Sequence, residues 1–179
     1  NEALVNKSMY EIFKVEKGSR PEVIIKGDIE EVVSEKCADI ALLCTDSFTS
    51  AAFSKMKFLL EKKINVISTA EEMTYPHAQS PDLAKQLDEV AKANDVSVLG
   101  TGINPGLMMD LLAIVLTGAC EEVDHITCER INSLSPFGPA VMEEQGVGIT
   151  VEEFQKRTEE GTLAGHVGFA ESIRMITDA

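Results

Sequence analysis

The sequence is poor in basic residues: 16 lysines and arginines stand against 30 aspartates and glutamates, so its 179 residues carry a formal net charge of −14. Such a chain repels the phosphate backbone of nucleic acids, and it has no basic patch with interleaved aromatic side chains. No apolar run reaches the roughly 20 residues that a helix needs to cross a bilayer. The sequence therefore predicts neither a nucleic-acid-binding nor a membrane protein, and we expect a cytoplasmic one.

Motifs for metal ligation and disulfide pairing are also missing. Cys37, Cys44, Cys120 and Cys128 form no C-x-x-C pair, and no histidine stands at ligand spacing from them. We therefore expect buried free thiols in a reducing compartment and no metal site. At 44% hydrophobic residues, the chain nevertheless has enough apolar mass for a buried core.

Apolar segments alternate with helical patterns over the first two thirds of the chain. Near-continuous apolar runs at 39–44, 64–68 and 96–100 are typical of strands buried on both faces of a parallel sheet, and a shorter run at 23–25 indicates a further strand. Apolar residues recur at helical spacing after Asp28, Thr49 and Ser80. This alternation predicts an α/β fold: a Rossmann-like parallel sheet with helices on both faces.

The pattern changes after residue 121. Residues 123–131 form a run of mixed polarity that predicts a long strand, and residues 133–148 are rich in glycine, proline and serine. Helices are predicted from Thr150 to about Glu160, where Thr150 and Glu153 match a capping box, and over 171–178. We therefore divide the chain into a Rossmann-like domain at 1–121 and the start of a second, α+β domain at 122–179.

Three loops that follow predicted strands, at 45–48, 69–76 and 100–106, carry small hydroxyl residues, acids and glycines. Because the carboxyl ends of parallel strands meet at one edge of the sheet, a ligand could lie along these loops. In the third loop, Asn104 can cap the helix predicted from the apolar-periodic stretch 107–116, with Pro105 in its first turn, and the free amides there favour an anion. The same residue types also make ordinary turns, so each loop alone has a purely structural alternative.

Four charged or titratable residues are candidates for chemistry. Glu71 and Glu72 could bind an amine or act as a general base, or they could be solvated surface acids. His166 lies between glycines that would let its imidazole approach a substrate, or it stands in a simple turn. Arg130 could hold a substrate carboxylate with two hydrogen bonds, although a salt bridge to one of the many acids is the commoner use.

Several segments together resemble the 2,4-diaminopentanoate dehydrogenases, which are relatives of dihydrodipicolinate reductase and diaminopimelate dehydrogenase. The segments are LLCTDSFT (42–49), INVISTAEEMTYP (64–76), VLGTGINPGLMMDLL (98–112), NSLSPFGPAVMEEQGVGIT (132–150) and GTLAGHVGFAESI (161–173). The resemblance implies oxidative deamination with NAD or NADP: a hydride leaves the carbon that bears the 4-amino group, and hydrolysis of the imine gives 2-amino-4-oxopentanoate and ammonia. It also implies a first domain that binds the dinucleotide, a second that binds substrate and mediates self-association, and hence a homo-oligomer.

The resemblance further implies roles for individual residues. Those expected to bind the cofactor are Thr45, Asp46, Ser47, Phe48, Thr69, Ala70, Gly102, Asn104 and Pro105. Those expected on the substrate side are Asn104, Gly106 and Arg130 for binding and Glu71, Glu72 and His166 for catalysis. Acidic loops suit a cationic diamino substrate. The histidine-rich catalytic motif of dihydrodipicolinate reductase is missing, which argues against that activity.

The phosphate-binding run G-x-G-x-x-G is also missing. Together with a start that lacks an initiator methionine, this predicts an internal piece of a longer protein, whose phosphate loop and first βα unit precede Asn1. Two alternatives stay open: a related dehydrogenase or reductase that acts on another amino acid or a semialdehyde, and a non-catalytic ligand-binding subunit of the same fold.

Overall fold

A parallel sheet forms the centre of the chain. The computed structural model describes residues 2–163 and 165–179. Within this part of the chain, β1 (Ile40–Leu43), β2 (Asn65–Ser68) and β3 (Val98–Gly100) lie side by side in that order, and both neighbouring pairs are parallel. The predicted α/β, Rossmann-like arrangement is therefore confirmed.

Helices connect the strands. In chain order the α-helices are α1 (Met9–Phe13), α2 (Thr49–Glu61), α3 (Pro81–Ala93), α4 (Leu111–Thr117), α5 (Pro139–Glu144), α6 (Val151–Glu159) and α7 (Phe169–Asp178). Short 3₁₀-helices span Glu2–Leu4, Ile29–Glu31 and Glu71–Thr74. None of the helices in the described ranges is long and apolar enough to cross a membrane.

The core lies between the sheet and the pair α2 and α3. Both helices place apolar residues at helical spacing on their inner faces, and Met56, Leu60 and Leu87 are almost completely buried there. They pack on the sheet face that carries Leu43 and Val66. Burial of this apolar surface is the main stabilising term of the fold.

The opposite face of the sheet is apolar but exposed. Leu42 and Leu99 flank Ile67 on neighbouring strands, and they are 72% and 55% exposed; Ile40 on the same face is 53% exposed. The apolar runs predict strands with both faces covered. In this chain α2 and α3 cover one face.

Some elements differ from the sequence prediction. The run at 123–131 forms no strand, because the described residues place no partner strand beside it to take its backbone hydrogen bonds. The run at 23–25 contributes only a single antiparallel bridge, between Ile24 and Ser8. The pattern after Asp28 gives one 3₁₀ turn, and α5 was not predicted at all. At α6 the predicted N-cap is confirmed, since the Thr150 hydroxyl accepts from the Glu153 amide at 3.2 Å, which is one of the two hydrogen bonds of a capping box.

The cysteines are free, as predicted, but they are not buried. Cys37, Cys44 and Cys120 are exposed and Cys128 is half-buried. Cys44 stands one residue beyond the end of β1, where the polar loop begins, so it escapes the burial that its apolar neighbours suggested.

Candidate functional site

The three loops that follow the strands pack against one another at one edge of the sheet. The Glu72 amide in the second loop donates to the Ser47 carbonyl in the first at 3.2 Å. Gly100, at the end of β3, lies so close to the second loop that a Cβ there would stand 1.9 Å from the Met73 carbonyl oxygen. The Thr101 amide, at the start of the third loop, donates to the Ser68 carbonyl at the end of β2 at 3.0 Å.

A cavity of about 1130 Å³ opens beside this edge. Its wall includes predicted site residues from separate parts of the sequence: Ser47, Phe48, Glu71, Asn104, Arg130 and His166. The acid Glu129 also lines the cavity, together with neutral side chains of the second half of the chain such as Asn132, Phe137 and Gln145. The fold thus brings four of the six substrate-side candidates, Glu71, Asn104, Arg130 and His166, to one cavity, whereas Glu72 and Gly106 do not line it.

Asn104 and His166 contact each other in the wall of this cavity. Nδ2 of Asn104 lies 3.0 Å from Nε2 of His166. Because an amide nitrogen can only donate, Nε2 accepts, and the neutral imidazole carries its proton on Nδ1. Oδ1 of Asn104 is buried and has no hydrogen-bond partner in the described part of the chain. The amide therefore keeps one acceptor for a ligand.

The surroundings of His166 favour its neutral form. Burial, in part against the Phe169 ring at a centroid distance of 4.5 Å, lowers the pKa of His166, and the positive charge of Arg130 lowers it further. The Glu71 carboxylate raises this pKa by a smaller amount. At neutral pH the imidazole is therefore uncharged, which is the form that can take up a proton.

The two adjacent acids differ in what they contact. Glu71 lines the cavity, close to the backbone of Gly168, where a Cβ would stand 3.3 Å from the Glu71 Cβ. Oε2 of Glu72 instead accepts from the Thr49 amide at 2.7 Å. Thr49 is the first residue of α2, and the N-cap residue Phe48 offers no side-chain acceptor. Glu72 therefore caps α2, and its catalytic role stays a prediction without support from this geometry.

Backbone amides at the end of the third loop and at the start of α4 bind a carboxylate of the protein itself, that of Asp110. Asp110 is fully buried, and its carboxylate accepts from the amides of Gly106 at 2.8 Å and Leu111 at 2.6 Å and from the Ser172 hydroxyl at 2.8 Å. The expectation that Asn104 caps the following helix is wrong: Asp110 caps α4, which begins at Leu111. The anion expected at these amides is thus the chain's own carboxylate, and the Gly106 amide is not free for a substrate.

The residues predicted for the cofactor occupy different environments. Lys55 of α2 donates to Asp46 at 2.7 Å and to Thr45 at 3.1 Å. The hydrogen bond from Lys55 is the main cause that lowers the pKa of Asp46, and that from Thr45 adds to it. Thr69 and Gly102 are exposed, whereas Ala70 and Pro105 are buried. Ala70 and Pro105 can therefore contribute only by holding the shape of the loops at the edge of the sheet.

Lys55, Asp110 and Ser172 escaped the sequence analysis. Asp110 carried a usable signal, because it is a lone acid within the otherwise apolar segment 107–116. A charge in such a segment needs a buried partner or a cap position. Lys55 and Ser172 are ordinary helix residues by sequence, and only the folded structure shows what they bond.

Two comparisons find similarity to 2,4-diaminopentanoate dehydrogenases. Residues 107–179 match the family described as the 2,4-diaminopentanoate dehydrogenase C-terminal domain. Over 176 residues the chain is 66% identical to the 2,4-diaminopentanoate dehydrogenase of Acetoanaerobium sticklandii, an alignment that covers 98% of this chain and 50% of that protein. The predicted family resemblance is confirmed. The chain spans about half the length of this curated relative.

A solved structure shares the fold. The chain superimposes on an amine dehydrogenase from Mycobacterium smegmatis with a TM-score of 0.77 and 23% sequence identity, over 99% of this chain and 52% of that one. At this identity the likeness speaks for the fold alone. It agrees with the parallel sheet and its crossover helices.

Proposed function

We propose that this chain forms the substrate side of an NAD- or NADP-dependent dehydrogenase that oxidatively deaminates 2,4-diaminopentanoate. The observation that carries this proposal is the convergence of Glu71, Asn104, Arg130 and His166 on one cavity. The 66% sequence identity with a 2,4-diaminopentanoate dehydrogenase, over 98% of this chain, supports the same substrate.

The charges of the cavity suit this substrate, which has one carboxylate and two amino groups. Arg130 makes no ion pair or hydrogen bond within residues 2–163 and 165–179, so its guanidinium is free to bind the carboxylate through two hydrogen bonds. Glu71 supplies a negative charge for an ammonium group in the same cavity. Glu129 is a second acid in the wall, so Arg130 marks the end of the cavity where the carboxylate binds and the acids suit the two amino groups.

The Asn104–His166 pair suits the proton transfer. The amine must lose a proton before a hydride can leave C4, and neutral His166 can take it at Nε2, where the substrate replaces the Asn104 amide as donor. Oδ1 of Asn104, which lacks a partner among the described residues, can accept from one of the two N–H groups that the amine keeps. Loss of one proton and the hydride from the ammonium form leaves the C4 iminium ion, and addition of water followed by release of ammonia gives 2-amino-4-oxopentanoate.

The first two loops fit a nicotinamide cofactor. Phe48 is 50% exposed, and it lines the same cavity as His166 together with Ser47. An exposed aromatic face beside a hydroxyl suits a flat ring that carries a polar amide. Thr45 and Thr69 present further exposed hydroxyls at this edge. When bound, the oxidised nicotinamide supplies the hydride acceptor.

An assay of the complete gene product tests this function. Reduction of NAD and of NADP should be followed with 2,4-diaminopentanoate, ornithine and meso-diaminopimelate. We expect turnover restricted to 2,4-diaminopentanoate. Turnover of one of the other two alone would assign a different amino acid, and dinucleotide binding without any turnover would favour the non-catalytic alternative; either result contradicts the proposal.

A further inference from the structure

The position of His166 depends on where α7 begins. Residues 165–168 lead directly into Phe169, the first residue of α7, against whose ring the imidazole packs. Gly168 has a φ of +101°, and a Cβ there would stand 2.5 Å from Cγ of Pro105 and 3.3 Å from Cβ of Glu71. Because this backbone touches both neighbouring loops, a small displacement of α7 would move His166 relative to Asn104 and Glu71.

Ser172, in the first turn of α7, bonds the helix to the loop that carries Asn104. Its hydroxyl is buried and donates to Oδ2 of Asp110 at 2.8 Å. The same Asp110 oxygen accepts from the Gly106 amide, two residues beyond Asn104. A chain of two hydrogen bonds, both to a fully buried carboxylate, therefore joins α7 to this turn, and bonds to a charged group are the stronger kind.

Glu171, the neighbour of Ser172, bonds α7 to the loop that carries Glu71. It is fully buried, and its Oε1 accepts from Nε2 of Gln79 at 2.8 Å. Gln79 follows the 3₁₀-helix Glu71–Thr74, against which α7 packs. Oε2 of Glu171 has no partner among the residues described. A carboxylate buried with a partner on one oxygen alone is costly, so a gain in stability does not explain its presence here.

We propose that Ser172 and Glu171 are positioning residues: they fix the start of α7 so that His166 stays at hydrogen-bond distance from Asn104 and beside Glu71. Neither side chain lines the cavity, so both act through His166 and not on the substrate. A catalytic group that is displaced by about 1 Å loses much of its effect, which makes such anchoring necessary. The inference rests on the proposed function of His166.

A double-mutant cycle in the complete gene product tests this role. Ser172→Ala should lower kcat/KM about tenfold in the wild-type background and change it by less than about twofold in a His166→Asn background, because coupled residues are not additive. Thr177→Ala is the matched control, since among the described residues this hydroxyl of α7 bonds only to the Arg174 carbonyl of its own helix. An equal loss in both backgrounds would overturn the proposal.

A second measurement does not depend on catalysis. Histidines labelled at Cε1 can be titrated by NMR, and the His166 signal is assigned by its loss in His166→Asn. Ser172→Ala should move the His166 titration toward the value of an ordinary histidine, whereas Thr177→Ala should not; an unmoved titration overturns the proposal. Glu171→Gln, which keeps the shape of the side chain, serves if Ser172→Ala fails to fold. If His166→Asn retains full turnover, the proposed function fails, and this titration alone decides positioning.

Discussion

His166 lies in the wall of the cavity, and its surroundings there change its affinity for a proton. Burial and the charge of Arg130 lower its pKa, and the Nε2 atom accepts a hydrogen bond from Asn104 that only the unprotonated nitrogen can accept. The folded chain therefore binds a proton at this site less readily than the unfolded chain does. The consequence for stability has a definite sign.

We predict that His166 contributes to the loss of stability in acid. Its folded-state pKa lies below the unfolded value of 6.5, so its contribution is present above pH 6.5 and is lost as the pH falls from there through the folded pKa. The fall in Tm between pH 7 and pH 5 should therefore be smaller in His166→Asn than in the wild type. His77→Asn, which removes an exposed histidine outside the cavity, should behave like the wild type. Equal falls in all three proteins would contradict the prediction.

Glu71 and Glu72 should separate function from stability. Glu72→Ala removes the acceptor of the Thr49 amide at the start of α2, so we expect the free energy of unfolding to fall by about 1 kcal/mol, as for a lost helix cap. Its kcat/KM at a temperature where it is folded should stay close to wild type. Glu71→Ala should lower kcat/KM and leave the free energy of unfolding close to that of the wild type, because its carboxylate lines the cavity. Urea unfolding and steady-state kinetics measure the two quantities, and a large kinetic loss in Glu72→Ala would restore its catalytic role.

At the residue level, the sequence allowed the site to be predicted only through the family resemblance. Residue chemistry alone left Glu71, Arg130 and His166 with structural alternatives, and the spacing of some 95 positions between Glu71 and His166 contains no information on their contact. Asp110 carried a signal as a lone acid in an apolar segment, but its bond to Ser172 joins residues 62 positions apart and becomes visible only after folding. Local patterns predict where the loops lie. Which side chains of different loops act together depends on contacts between residues that are distant in the sequence.

Strands and helices could be predicted where they pack against elements that are close to them in the sequence. The strands β1 to β3 and the helices α2 and α3 each show an apolar pattern of the right period, and each finds its partner in the next unit. The run at 123–131 has strand-like residues but no neighbouring strand in the described structure. A strand is stable only when a partner takes its backbone groups, and the sequence does not state whether one is there.

The contact between β3 and the 3₁₀-helix Glu71–Thr74 gives a prediction at this scale. A Cβ on Gly100 would stand 1.9 Å from the Met73 carbonyl oxygen, so Gly100→Ala must push the helix that begins at Glu71 away from the sheet. We expect a loss of several kcal/mol in the free energy of unfolding, as for other overpacked sites, and a large loss of kcat/KM. The matched control is Gly138→Ala, where φ is −69° and no atom lies within 4 Å of the added carbon. Similar stability of the two variants would contradict the packing argument.

At the scale of the whole molecule, the order of strands and helices predicted the topology, but it did not predict which surfaces are covered. Apolar strands predict two covered faces, and the register places Leu43 and Val66 under α2 and α3 while Leu42 and Leu99 lie on the other side. Side-chain alternation along a strand decides the face, whereas coverage depends on what else packs there. A patch of exposed leucine and isoleucine on a sheet is unusual for a folded surface.

We predict that the 179-residue chain, prepared by itself, binds the apolar dye ANS through this face. Leu42 and Leu99 are 72% and 55% exposed and lie on either side of Ile67, so replacing both by glutamine should lower the ANS fluorescence by about half or more. Because both side chains are largely exposed, the double variant should unfold at nearly the wild-type urea concentration. Val151→Gln removes an apolar side chain that is 69% exposed on α6, away from the sheet, and should leave the fluorescence almost unchanged. Equal fluorescence of the double variant and the wild type would show that the dye binds elsewhere, with the cavity lined by Phe48 and Phe137 as the next surface to test.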